Sequence, residues 1–237
     1  MDIYNFIIIG MIVGYLIGSI PFGLVIGKIF FHTDVRQHGS GNLGSTNVAR
    51  TLGFVPGICV LILDVLKGGL PAFLMYKIAN NYMSLSQDVE ILEQLKYLSV
   101  VYHVTAIMAC SGHCHPLFAN FKGGKAVASI CGYLAFFNFR LFLVGIGVYL
   151  LVFIITRIVS LGSISAAIAV MICQFFSVFR VCYLFVNNEL SYKLPLFVFT
   201  LSNLFLGFLL IYRHLANIER LLHHQEKRFK FDKVNKK

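Results

Sequence analysis

Residues 3–31 read IYNFIIIGMIVGYLIGSIPFGLVIGKIFF, an apolar run in which Lys28 is the only charged residue. A membrane-spanning helix needs about 20 mostly apolar residues, so this run is long enough to cross a bilayer. The run contains the sequence Gly18-Ser19-Ile20-Pro21. Comparable apolar runs recur along the chain, and together they predict an all-α integral membrane protein.

The composition of the whole chain agrees with this prediction. Of its 237 residues, 58% are hydrophobic and 13% are charged, whereas soluble domains have about 45–50% apolar and about 25% charged residues. The start, Met1-Asp2-Ile3, lacks the basic region of a cleavable signal peptide. We therefore expect the first apolar run to be retained as a span.

The formal net charge is +10, and eight of the 20 basic residues lie in residues 213–237. A basic tail after a final span is typical of a cytoplasmic end near anionic lipid. We expect no nucleic-acid partner, because the chain has no soluble module that could read a groove.

The hydropathy pattern predicts about seven spans joined on one side by interfacial or re-entrant polar loops. The predicted ranges are 3–31, 51–79, 94–111, 126–139, 141–155, 164–186 and 194–212. Residues 1–213 would form the polytopic membrane domain. Residues 214–237 would form a basic cytoplasmic tail that begins with a His214/Asn217 motif.

The distribution of Lys and Arg predicts an external N-terminus and a cytoplasmic C-terminus. With seven spans, four polar segments then fall on the cytoplasmic side: residues 32–50, 112–125, 156–163 and 213–226. Segments that are distant in sequence could therefore meet at one membrane surface.

Residues 39–50, GSGNLGSTNVAR, have the composition of a phosphate-binding loop. Gly39, Gly41 and Gly44 spell G-x-G-x-x-G, but a dinucleotide site would follow a strand, and this motif follows a span. A glycine-rich turn before a helix is still a good anion site. The alternative is a tight interfacial loop that caps the second span. The candidate ligands are Ser40, Gly41, Asn42, Thr46, Asn47 and Arg50.

A second glycine pair, Gly123-Gly124, precedes Lys125 and the predicted fourth span. Such a loop allows close approach of an anion, and the lysine supplies a positive charge. The alternative is an interfacial lysine that extends to the membrane surface. Within the second span, Asp64 and Lys67 are three residues apart and so share a helix face. This spacing favours an ion pair, with a direct substrate role for Lys67 as the alternative.

Two further polar groups follow the spans. His214 and Asn217 are three residues apart and could together bind a hydroxyl group, although the pair taken alone favours an amphipathic interfacial helix with incidental polar residues. Ser160 and Ser163 are predicted to cap the sixth span, with a hydrogen bond to substrate as the alternative.

Cys110, His113, Cys114 and His115 are metal-ligating residue types, but their spacing matches no standard zinc pattern. We therefore expect no metal site. The chain also lacks the G-x-S-x-G elbow that one large class of serine hydrolases uses.

Taken together, the motifs resemble the acyl-phosphate-dependent glycerol-3-phosphate acyltransferases of bacterial membranes, the PlsY-type family. The resemblance covers nearly the whole chain in order. It rests on residues 18–21, residues 39–50, Asp64-x-x-Lys67-Gly68, residues 112–125 and His214-x-x-Asn217-Ile218. Ala126 departs from the family pattern, which usually has another glycine there.

This resemblance implies transfer of a fatty acyl group from acyl phosphate to the 1-hydroxyl of sn-glycerol 3-phosphate at the cytoplasmic face, without a cofactor. It implies that Ser40, Arg50 and Lys125 hold phosphate, with Gly41, Gly123 and Gly124 in the phosphate loops. His214 and Asn217 would position the glycerol moiety. The pocket residues would be Asn42, Thr46, Asn47, Ser160 and Ser163.

The expected partners are the two substrates, membrane lipids and, functionally, an enzyme that supplies acyl phosphate. Acyl phosphate carries a good leaving group, so the residues need only offset charge and orient the reactants. The proton acceptor stays open between His214 and the substrate's own phosphate. The alternative function is transport of an organic phosphate, but the sequence shows no internal repeat of the kind many transporters have.

Overall fold

The computed structural model describes residues 3–84, 91–176, 179 and 196–229. These residues form ten α-helices and two short 3₁₀ turns, Val35–Gln37 and Leu117–Ala119. The helices are α1 (Ile3–Gly18), α2 (Phe22–Phe31), α3 (Ser45–Leu52), α4 (Phe54–Ser84), α5 (Ile91–Cys114), α6 (Val127–Phe137), α7 (Phe139–Thr156), α8 (Val159–Cys173), α9 (Leu196–Arg213) and α10 (Leu215–Leu222).

The all-helical membrane architecture predicted from hydropathy is confirmed. Within the described residues, three stretches are long and apolar enough to cross a membrane: Tyr4–Phe31, Phe54–Met83 and Phe139–Thr156. A fourth is possible if α9 and α10, which meet at a bend of 57°, count as one span. The helices α6 and α8 are apolar but shorter, so the predicted number of seven spans is approximate.

The first apolar run, predicted as one span, is divided into two helices: α1 ends at Gly18 and α2 begins at Phe22. The second span begins later than predicted, at Phe54, because Gly53 ends α3 with a φ of 105°. It continues past the predicted end at residue 79 to Ser84. The predicted end of the sixth span at Val186 and start of the seventh at Leu194 lie outside the described residues.

Glycines bring the helices close enough for backbone to touch backbone. A Cβ at Gly18 of α1 would collide with the carbonyl of Ala109 on α5. A Cβ at Gly132 of α6 would collide with the carbonyl of Val65 on α4. Small residues at helix interfaces are the usual means of close packing in a bilayer, where lipid competes for larger apolar side chains.

The bundle interior contains an aromatic cluster on α5, α6 and α9. Tyr102, Tyr133, Phe137 and Phe199 are all at most 2% exposed. The Tyr102 hydroxyl donates to the carbonyl of Tyr133 at 2.8 Å, so its one polar atom is paired. This cluster fixes α6 against α5, and α6 in turn carries the loop that contains Lys125.

The predicted capping role of the two serines is wrong. Helix α8 begins at Val159, because Arg157 ends α7 in the left-handed region with a φ of 60°, and Ile158 stands at the N-cap without a side-chain bond. Ser160 and Ser163 therefore lie inside the first turns of α8. The Ser163 hydroxyl donates to the Val159 carbonyl at 3.0 Å, one turn earlier.

Candidate active site

Four segments that are distant in sequence meet through a chain of polar side chains. Lys125 donates a hydrogen bond to Oδ1 of Asn217 on α10. The amide nitrogen of Asn217 donates to Oε1 of Glu226 at 2.6 Å. Ser160 of α8 donates to the same oxygen at 2.7 Å. This structure joins the Lys125 loop, α8, α10 and the segment that follows α10.

The backbone around Lys125 is held on both sides. Arg213, the last residue of α9, donates to the carbonyls of Gly123 at 3.2 Å and Gly124 at 3.1 Å. The amide of Gly124 donates to the carbonyl of His113 at 3.0 Å. Because this amide already donates to His113, it is not a free donor for a ligand. The absence of a side chain at Gly124 instead lets other groups come close to the backbone.

Ala126 stands where the family that the motifs resemble usually has a glycine. It precedes α6 with a φ of 59°, in the left-handed region, where glycine is favoured and a Cβ costs energy. The chain nevertheless keeps the turn, and its methyl group is fully buried.

Burial and hydrogen bonding determine the charge states of Lys125 and Glu226. Burial lowers the pKa of Lys125 to about 8, although the charge of Glu226 acts in the opposite direction. Burial would raise the pKa of Glu226, but hydrogen bonds from Ser160, Asn217 and Arg220 together lower it below its usual value. Glu226 is therefore a carboxylate at neutral pH, and it accepts hydrogen bonds from three residues on two helices, α8 and α10.

His214 lies at the bend between α9 and α10 and is 2% exposed. Burial, aided by the charge of Lys125, lowers its pKa to about 4, so the ring is neutral at pH 7. Its Nδ1 lies 2.8 Å from the Leu210 carbonyl, which can only accept. Nδ1 must then carry the proton, and Nε2 is left as a hydrogen-bond acceptor.

The first glycine loop is organised around Asn47, which is 2% exposed. Its Oδ1 accepts from the amide of Ser40 at 2.8 Å, and its nitrogen donates to the carbonyls of Val35 and Asn42, both at 2.9 Å. Asn42 in turn accepts from the amide of Gly44 at 2.9 Å. These asparagines shape the loop, while Ser40 lies exposed on it.

Arg50 is connected to the hydrogen-bonded chain of Lys125, Asn217 and Glu226 through the segment that follows α10. Its guanidinium lies over the ring of Phe229, 5.7 Å from the centroid. The Phe229 amide donates to the carbonyl of Arg157 at 2.7 Å. Since Glu226 is only three residues earlier, residues 226–229 connect Arg50 with the chain of contacts that ends at Lys125.

A small cavity also lies between the two glycine loops, with Leu43 of the first and Gly124 of the second in its wall. Its remaining lining residues are Pro21, Phe22, Asp64, Lys67, His113 and Pro116. The predicted ion pair is present there, since Lys67 Nζ lies 2.8 Å from Oδ1 of Asp64. Among the described residues, no group of three or more His, Cys, Asp or Glu side chains could hold a metal ion.

Sequence reasoning therefore found most of the residues that the structure brings together: Lys125, Asn217, Ser160, His214 and the loop around Asn47. Ser163 bonds only within its own helix. Two residues were missed, Glu226 and Arg213. The signal for Glu226 was a carboxylate within a basic segment, but nothing in the sequence shows which donors it would meet.

Comparison with known proteins identifies the family. A family model described as glycerol-3-phosphate acyltransferase matches residues 8–224. This chain belongs to that family. Glycerol-3-phosphate acyltransferases of Geobacillus kaustophilus and Bacillus subtilis are 38% and 37% identical to it. In each case the match covers 93% of this chain, with 95% and 96% of the relative.

Two solved structures of PlsY, an integral membrane glycerol 3-phosphate acyltransferase, resemble the fold of this family member. The glycerol 3-phosphate form is 35% identical with a TM-score of 0.73, and the lysophosphatidic acid form is 34% identical with a TM-score of 0.71. Each match covers 94% of this acyltransferase chain and 95% of the PlsY chain. The family predicted from the sequence motifs is confirmed.

Proposed function

We propose that this chain transfers a fatty acyl group from acyl phosphate to the 1-hydroxyl of sn-glycerol 3-phosphate, giving lysophosphatidic acid and inorganic phosphate. The observation that carries this proposal is that Lys125, held by Asn217, lies near the buried, neutral His214, on whose pKa its charge acts. The Lys125 ammonium can bind a phosphate group, and Nε2 of the His214 imidazole can accept a hydrogen bond from a hydroxyl group. Membership of the glycerol-3-phosphate acyltransferase family supports the same substrate.

Both substrates carry phosphate groups, so their approach must overcome repulsion. In this proposal Lys125 and Arg50 offset that charge, and Ser40, Gly41, Gly123 and Gly124 line the approach to the phosphate. Fixed positive groups act strongly where water is excluded. Lys125 is half-buried, whereas Arg50 is exposed.

The reaction itself needs no nucleophilic residue. The glycerol oxygen attacks the acyl carbon, a new C–O bond forms, and the bond from the acyl carbon to the phosphate oxygen breaks. The electron pair leaves with phosphate. The hydroxyl proton goes either to that phosphate or to Nε2 of His214. Orientation of the two substrates supplies most of the remaining acceleration.

We favour phosphate as the proton acceptor and His214 as a positioning group for the hydroxyl. An imidazole with a pKa of about 4 is a weak base at neutral pH. A His214→Gln variant keeps an acceptor of similar reach and should retain substantial activity. Complete loss of turnover by this variant, with unchanged binding of glycerol 3-phosphate, would show that the imidazole is the base.

We also propose that the site faces the cytoplasm of a bacterial cell, with the N-terminus outside. The basic segments around the site support this orientation through the positive-inside rule. The acyl phosphate would then come from a functionally linked cytoplasmic or membrane enzyme. Protease cleavage of a C-terminal tag in inside-out but not right-side-out vesicles tests the orientation, and the reverse pattern contradicts it.

The donor is tested by comparing palmitoyl phosphate with palmitoyl-coenzyme A at equal concentrations, each with glycerol 3-phosphate and purified protein. Formation of 1-palmitoyl lysophosphatidate only from palmitoyl phosphate supports the proposal. Equal use of the thioester would contradict the acyl phosphate donor, and acylation at the second hydroxyl would contradict the assigned position.

A further inference from the structure

Three ionisable side chains are buried next to the site but are not part of it. Asp64 and Lys67 lie on α4, and His113 lies in the last turn of α5; they are 2%, 4% and 7% exposed. Lys67 Nζ is 2.8 Å from Asp64 Oδ1, and His113 Nδ1 is 3.6 Å from the same oxygen. We call these three residues the Asp64–Lys67–His113 network.

Burying such a network is costly, because the desolvation of two charges can exceed their attraction. Ionisable groups within a membrane bundle are correspondingly uncommon and usually serve a function. The attraction between Lys67 and Asp64 therefore does not explain why the network is buried. Its contacts with other parts of the chain indicate its role.

The network reaches the first glycine loop indirectly, through Lys67 and helix α2. The Lys67 ammonium donates to the carbonyl of Ile20 at 2.8 Å, in the break between α1 and α2. A helix break leaves carbonyls unpaired, which is costly where water is scarce. Helix α2 then packs against the loop, since a Cβ at Gly23 would collide with the Leu43 carbonyl.

The network holds the second glycine loop through His113. The His113 carbonyl accepts the amide of Gly124 at 3.0 Å. The imidazole lies so close to the Gly124 backbone that a Cβ there would collide with Nε2. Gly124 immediately precedes Lys125, so the position of this imidazole limits where the Lys125 side chain begins.

We propose that the Asp64–Lys67–His113 network is a positioning device that fixes the distance between the two glycine loops, and thus between Arg50 and Lys125. The cavity whose wall contains Leu43 and Gly124 is lined by all three members of the network, as expected for a connection between the loops. The three residues act through the loops and do not touch the reacting atoms. This inference rests on the proposed acyl transfer.

The test is steady-state kinetics of purified protein with palmitoyl phosphate and glycerol 3-phosphate. Lys67→Met removes the bond to Ile20, and Asp64→Asn/Lys67→Met does so without leaving an unpaired charge. We expect the KM for glycerol 3-phosphate to rise about tenfold or more in both, because small misplacements of binding groups are costly. Lys77→Met is the matched control, since Lys77 lies on α4 over the Phe73 ring, and should leave KM unchanged.

A merely structural role would lower the fraction of folded enzyme, which reduces the apparent kcat and the thermal midpoint but not KM. An unchanged KM in both Lys67 variants would therefore overturn the inference. If these variants do not accumulate, His113→Gln keeps the Lys67–Asp64 pair and carries the same KM prediction. Absence of turnover in the wild-type protein would instead refute the proposed function, so the two failures are distinguishable.

Discussion

Lys125 donates a hydrogen bond to Oδ1 of Asn217, which follows it by 92 residues. The same asparagine uses its amide nitrogen to bind Glu226 at 2.6 Å. Both ends of the Asn217 amide are thus engaged, and its orientation is fixed. The asparagine holds the cationic side chain at the bend where His214 is buried.

Replacing Asn217 by leucine keeps the volume of the side chain and removes both bonds. We expect kcat/KM for glycerol 3-phosphate to fall about 10- to 100-fold, since a buried polar partner left unsatisfied costs about 1–3 kcal/mol. Asn203→Leu is the matched control, because Asn203 is buried on α9 and bonds only to Phe199 in its own helix. Equal losses in the two variants would indicate general destabilisation instead.

The affinity for phosphate ligands should depend on the protonation of Lys125. Burial lowers its pKa to about 8, so the ammonium is present below that pH and lost above it. Binding of glycerol 3-phosphate should therefore weaken as the pH rises from about 7 to about 9, a range in which exposed lysines stay almost fully charged. His214, with a pKa of about 4, does not titrate there.

Isothermal titration at several pH values measures this dependence, with Lys125→Arg as the control. Arginine remains charged throughout, so the decline should disappear in that variant. A decline of equal size in Lys125→Arg would assign the titration to another group.

Glu226 should hold the C-terminal segment on the site. Its side chain is 11% exposed and accepts Arg220 Nε at 2.7 Å besides its bonds to Ser160 and Asn217. Glu226→Gln removes the negative charge and supplies a donor where only an acceptor fits. We expect about a tenfold loss of kcat/KM and a lower thermal midpoint, because hydrogen bonds to charged groups contribute about 1.5–3 kcal/mol.

Glu219→Gln is the control for Glu226, since Glu219 lies exposed on α10. It should behave as wild type in both activity and thermal unfolding. Wild-type behaviour of Glu226→Gln would contradict a holding role for this carboxylate.

Close packing between α4 and α6 predicts that alanine is destabilising at Gly132 but not at Gly147. Gly132→Ala places a Cβ against the Val65 carbonyl on α4, whereas Gly147 has nothing within 4 Å of an added Cβ. Overpacking of this kind costs about 1–3 kcal/mol. Gly132→Ala should therefore lower the thermal midpoint of detergent-solubilised protein, and Gly147→Ala should not. Similar midpoints for the two variants would refute the close α4–α6 contact.

Much of the fold follows from the sequence because the deciding information is local. Apolar length predicts the helical segments, although the run 3–31 was predicted as one span and the break before α2 was not predicted. The polarity of the segments between helices predicts that Lys125, Ser160 and Asn217 meet at one surface, and the structure joins them through Glu226.

The rest depends on contacts between distant residues. Ser160 looked like a helix cap because its partner Glu226 lies 66 residues away, and no local pattern joins them. The start of α8 moved to Val159 because Arg157 adopts a left-handed conformation, which residue type alone does not predict. The bend at His214 has no glycine or proline at that position, so residue type does not predict it either.

The most direct test of the proposed reaction is the release of inorganic phosphate from palmitoyl phosphate by purified protein, with and without glycerol 3-phosphate. The wild-type protein should release phosphate only when glycerol 3-phosphate is present, in equal amount to lysophosphatidate. Lys125→Met should lose this turnover about 100-fold or more, while Lys122→Met, altered at an exposed lysine of the same loop, should keep it. Phosphate release without glycerol 3-phosphate would indicate a hydrolase, and no release by folded protein would contradict acyl transfer.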